Sequence, residues 1–148
     1  MILERLADKG IVLPDPPMPA GSYTPVVMAG NLAFVSGQIP LRDGRVAYVG
    51  TVDDSNLEAA RDSARLCAVN VLAQLQKKIG LERVQRFVRI NGFVRSGPEF
   101  TSHPMVIDAA SDLLYEIFGD RGRHTRTAVG VSSLPLDSMT EIDATVQI

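Results

Sequence analysis

Arg126 and Glu141 are the side chains of this 148-residue sequence best suited to chemistry on a small molecule. A guanidinium grips a carboxylate through two parallel hydrogen bonds. A glutamate nearby can move a proton or orient a water. Together they suit acid–base chemistry on a small anionic substrate. An ordinary surface ion pair is the plainer reading of the same two residues.

Other chemistries lack their residues. There is no GxxxxGK[ST] phosphate loop and no GxGxxG after a strand. Cys67 is the single cysteine, and His103 and His124 are the only histidines. That leaves no internal disulfide and makes a zinc site an unpromising reading. No GxSxG elbow supports a serine nucleophile. The residues favour none of these chemistries.

Composition narrows the partners. The 15 basic and 17 acidic residues give a net charge of −2. A nucleic-acid binder normally shows a basic excess or stripe. The nearest candidate, Arg121, Arg123, His124 and Arg126, is short and broken by Gly122. The first ten residues carry charges throughout and lack the apolar run of a secretory signal. No stretch approaches the roughly 18 apolar residues of a membrane span. The expectations are a cytoplasmic protein, no nucleic acid and no membrane.

The elements that must position Arg126 and Glu141 follow from periodicity. Residues 1–10 form a short helix with Leu3 and Leu6 on one side, and the prolines of 13–19 make an extended connector. Strands at 24–28 and 32–36 flank the turn Ala29-Gly30-Asn31. A weaker strand covers 45–49. Ser55 and Glu58 read as a capping box for a helix whose apolar stripe runs to Ile79, with Gly80 as the stop. A strand spans 84–95, a helix 104–118, and strands 126–132 and 139–147 close the chain. Arg126 shares a strand face with Ala128 and Gly130. Glu141 opens the polar face of the last strand, where Ile142, Ala144 and Val146 alternate with polar residues. The order β-β-β-α-β-α-β-β gives an α+β two-layer sandwich: a mixed six-stranded sheet with two helices on one face.

Strand geometry constrains the pair. If the last two strands made one hairpin, Arg126 would face a residue near 145. Glu141 would then lie about 13 Å away. The two residues can cooperate only if these strands are not hairpin partners, or across a subunit boundary.

Two stretches carry a family pattern. Tyr23 to Pro40 has a tyrosine, a Gly-Asn turn and a strand ending Ser-Gly-Gln-Ile-Pro. Arg126 to Glu141 has an arginine, valines, Leu-Pro and a glutamate fifteen residues after the arginine. Both resemble the RidA (YjgF/YER057c/UK114) family, over roughly residues 20–147. The resemblance implies a chorismate mutase-like fold, with an N-terminal extension at 1–20 and the RidA-like domain at 21–148. It implies a homotrimer with sites in clefts between subunits. It implies hydrolysis of reactive 2-imino or enamino acids to 2-keto acids and ammonia without a cofactor.

By the same resemblance Arg126 binds the substrate carboxylate and Glu141 helps place the attacking water. Tyr23, Ser36, Gly37 and Ala128 line the cleft, with His124 and Ser111 as further candidates. Typical members have a cysteine where this chain has Ala128, and many active ones an asparagine about where Ser111 or Asp112 stands. These departures point to a divergent subgroup. Alternatives stay open: Tyr23 as hairpin packing, Ser36 and Gly37 as a strand end, Ser111 as helix packing, and His124 as a loop residue bonded to backbone. Two further readings are a non-catalytic binder of small carboxylates on the same trimer and a different enzyme using the same clefts.

Overall fold

The computed structural model describes residues 1–16, 18–19 and 21–148. Pro17, within the expected connector, and Ala20 lie outside the described residues. Apolar residues three and four apart fold α2 (Leu57–Lys78) and α3 (His103–Phe118). Each helix turns its stripe onto one face of the sheet, and Leu72, Leu75, Ile107 and Leu113 are fully buried there. Gly80 and Gly119 follow the helix ends at φ 84° and 64°, a left-handed conformation that glycine adopts without a Cβ penalty.

The N-terminus of α2 differs from the expected capping box. Asn56 takes the cap position and makes no side-chain cap bond. Asp53 instead accepts hydrogen bonds from the Ser55 backbone N (2.8 Å) and hydroxyl. Asn56 Oδ1 accepts from Asp53 N at 2.9 Å. These local side-chain-to-backbone bonds outcompete the cap. A short helix, α1 (Ile2–Asp8), buries Ile2 and Leu6 and leaves Leu3 exposed. The i,i+4 pair, not the i,i+3 pair, faces inward.

The main sheet has five strands: β1 (Val26–Ala29), β2 (Leu32–Gln38), β5 (Arg86–Arg95), β6 (Thr125–Val131) and β7 (Thr140–Gln147). Their spatial order is β1-β2-β7-β5-β6. Only β5 and β6 pair in parallel. The expected sixth strand is absent from this sheet. Residues 45–46 (β4) pair with 41–42 (β3) in a separate ribbon. Asp43 and Gly44 both have positive φ, the mark of a tight two-residue turn. Pro40, which lacks an N–H, precedes the ribbon.

Two irregularities break the strand period. In β5, Phe87 pairs with Val146 and Arg89 with Thr145, so Val88 is an extra residue. Phe87 is therefore buried and Val88 exposed. In β2, Val35 pairs with Ala144 and Gln38 with Ile142, again one residue too many.

Candidate functional site

The β2 bulge builds the first cluster. Ala33 and Val35 point under the helices, so strict alternation would aim Gln38 at the open face. The extra residue turns Gln38 back, leaving it 7% exposed. There Gln38 Oε1 accepts from Gln74 Nε2 of α2 at 3.3 Å, and Gln38 Nε2 donates to the Ser36 carbonyl at 3.2 Å. Asn70 Nδ2 donates to the carbonyls of Ile39 (3.0 Å) and Leu41 (3.1 Å). The segment after the bulge is thus tied to α2.

On the open face, Glu141 lies beside Gly37. A Cβ at position 37 would come within 2.9 Å of Glu141 Cδ, so the carboxylate occupies space that only glycine leaves. Tyr23, Ser36, Gly37, Leu136 and Glu141 are among the residues lining a groove of about 740 Å³. Burial, reinforced by neighbouring Asp143, pushes the Glu141 carboxyl above the usual glutamate range. Asp143 itself accepts a hydrogen bond from Asn91 Nδ2 at 2.8 Å.

Arg126 organises a second cluster on the other side of the sheet. Its Cα partner on β5 is Ile90, which is fully buried under α3. Arg126 Nη1 donates to Asp108 Oδ1 at 2.7 Å and to Ser111 Oγ at 3.1 Å, both on α3. Nη2 reaches the Pro104 carbonyl at 3.5 Å. His124 Nδ1 is 2.7 Å from the Gly122 carbonyl, and Nε2 is 2.9 Å from Ser111 Oγ. Burial, with the Arg126 charge, pushes the His124 pKa down. Ala128, two residues along β6, packs against the core.

The eight candidates therefore fall into two groups. Tyr23, Ser36 and Gly37 join Glu141; Ser111 and His124 join Arg126, with Ala128 packed beside them. The last two strands are not hairpin partners, because β5 lies between them. Arg126 aligns with Ile90 and Glu141 with Phe93, three residues apart along β5. The two side chains leave opposite faces of the sheet, so one chain does not bring them together. The ion-pair partner of Arg126 is Asp108, not Glu141. Sequence reasoning missed Asp108; its one signal was a spacing of three from Ser111 on a helix. It also missed the Gln38–Gln74 tie, which depends on the bulge.

Among the described residues, no three His, Cys, Asp or Glu side chains gather as metal ligands, and no helix is long and apolar enough to cross a membrane. Cys67 is buried, its pKa pushed up to about 12 by desolvation, so it offers no thiolate.

A mixed sheet roofed on one side by two helices, with one βαβ unit at its edge, defines the chorismate mutase-like class. A family model described as "YjgF/chorismate mutase-like, putative endoribonuclease" matches residues 3–146. The chain belongs to the RidA (YjgF/YER057c/UK114) family. It is 41% identical to Protein TCP17 of Trypanosoma cruzi, over 99% of this chain and 91% of that one. A crystal structure from Shewanella oneidensis superposes with a TM-score of 0.95 at 31% identity, covering 100% of this chain and 99% of that one. A 2-iminobutanoate/2-iminopropanoate deaminase of Dermatophagoides farinae is 28% identical over 93% of this chain and 94% of its own.

Proposed function

We propose that the protein hydrolyses small 2-imino or enamino acids to 2-keto acids and ammonia, in clefts between the subunits of a homotrimer. The observation that carries this reading is the placement of Arg126 and Glu141 on opposite faces of one sheet. A site that uses both needs a second copy to present the Glu141 groove to the Arg126 edge. The open face offers apolar surface for such contact: Phe34 is 44% and Val129 40% exposed. The deaminase relative supports the reaction class.

In this reading the substrate carboxylate meets the outer edge of the Arg126 guanidinium. Water adds to the imine carbon, and the resulting carbinolamine expels ammonia to leave the ketone. Glu141 takes the proton of the attacking water and returns it to the departing nitrogen. Its raised pKa brings both protonation states closer to neutral pH than an exposed glutamate would. Tyr23, Ser36 and Gly37 line the approach.

The test generates an imino acid in situ with an amino-acid oxidase and follows keto-acid release. The wild type accelerates release; Arg126→Ala and Glu141→Gln do not. Coexpression of the two variants restores about a quarter of the clefts, those pairing an intact Arg126 with an intact Glu141 from another subunit. No acceleration with any of several imino acids would overturn the hydrolase.

A second reading, a non-catalytic binder of small carboxylates, needs the Arg126 edge alone and is favoured by one observation: within one chain the Glu141 groove lies on the other face of the sheet. That reading predicts thermal stabilisation by a carboxylate without turnover.

A further inference from the structure

We infer that Asp108 recognises the cationic nitrogen of a zwitterionic ligand, so that the Arg126 edge selects amino- and imino-acid-like molecules over plain carboxylates. This rests on the carboxylate-binding role proposed for Arg126.

As a simple anion trap the cluster is poorly made. Asp108 cancels much of the Arg126 charge, and its side chain is 50% exposed against 22% for Arg126. An incoming carboxylate meets a fixed like charge beside its cation. A ligand carrying both charges meets a partner for each. An α-amino or α-iminium acid places its nitrogen on the carbon next to the carboxylate, as Asp108 stands next to Arg126.

The hydrogen-bond directions point the same way. A carbonyl only accepts, so His124 Nδ1 carries the hydrogen donated to Gly122 O, and in the neutral ring Nε2 is an acceptor. Ser111 Oγ therefore gives its hydrogen to Nε2. It is left as an acceptor, and one of its lone pairs takes Arg126 Nη1–H. The α3 side of the guanidinium thus presents the Asp108 carboxylate, the Ser111 oxygen and the Pro104 carbonyl. All three are acceptors, arranged for N–H groups. Hydrolysis replaces C=NH2⁺ by C=O and sets an acceptor against acceptors, which favours release of the keto acid.

The experiment measures binding of L-alanine and propanoate, ligands of equal chain length differing only in the amino group, by calorimetry on the full-length protein. Wild type is expected to prefer alanine by about ten-fold or more, the scale of a charged hydrogen bond. In Asp108→Asn alanine weakens, propanoate strengthens, and the preference disappears; Asp108→Glu restores part of it. A counter-ion that merely holds Arg126 would move both ligands in the same direction, and that result overturns the inference. So does a wild type that binds the two equally. If wild type binds neither, the carboxylate role of Arg126 fails as well, which separates the two failures. Should Asp108→Asn fold poorly, Asp108→Ser carries the same comparison, and an unchanged preference in it overturns the inference.

Discussion

Glu141 fills the space that a side chain on Gly37 would take: a Cβ there lies 2.9 Å from Glu141 Cδ and closer still to Oε2. Gly37 does not have a positive φ, so alanine fits its backbone. The obstacle is the end of a flexible side chain, which can swing away. Gly37→Ala is expected to displace the carboxylate, cutting turnover at least ten-fold on the scale of a misplaced catalytic group. The melting temperature should stay within a few degrees. Turnover and thermal melts on the same preparation check the pair of outcomes, and intact turnover would refute it.

Gly92→Ala is expected to do the reverse. Its Cβ would meet three carbons of Ile107 at 2.6–2.8 Å, and Ile107 is fully buried with nowhere to move. Overpacking of this kind costs about 1–3 kcal/mol. Denaturant unfolding would show the loss, and adding Ile107→Val should recover part of it.

Burial makes the Glu141 charge unfavourable in the folded state, so its folded pKa is raised. Folding then favours the protonated form. Stability from this group is present below the unfolded pKa and lost as pH rises through the folded one. Glu141→Gln should therefore melt higher than wild type at neutral pH, while losing turnover. The stability gap should close as pH falls to about 4, near the ordinary glutamate pKa. Melts from pH 4 to 8 test the sign.

His124 carries the opposite sign. Its folded pKa is lowered, so its contribution is present above the unfolded value and lost as pH falls through the folded one. Arg126 adds to the lowering. Arg126→Gln should raise the His124 midpoint, read from its ring-proton NMR titration. An unmoved midpoint would show that the two side chains do not sense each other in solution.

Local features were legible in the sequence. The α2 and α3 stripes and the stops at Gly80 and Gly119 follow from helical period and backbone sterics. The alternation from Glu141 to Ile148 shows which side of β7 faces the helices. What was hidden is non-local. Leu134 to Ser138 looks like a hairpin loop, yet Leu136 and Asp137 take positive φ and the chain crosses past β5 to reach β7. Phe87, at an odd position, is buried with Ile90, Gly92 and Val94 because the bulge at Val88 shifts the period by one. Asp108 was silent because its meaning comes from Arg126, eighteen residues later on an edge strand.

The bulge in β2 makes the groove a matter of residue count as well as residue type. With one residue removed at 36–37, β2 would pair with β7 in unbroken alternation. Gln38 would still oppose Ile142 and face Gln74, but the strand would no longer bow beside β7, and Glu141 would lose the gap it occupies. Every side chain the groove needs except one would still be encoded, and the groove would be gone. Scans by substitution preserve length and pass over this dependence; scans by single-residue deletion meet it directly.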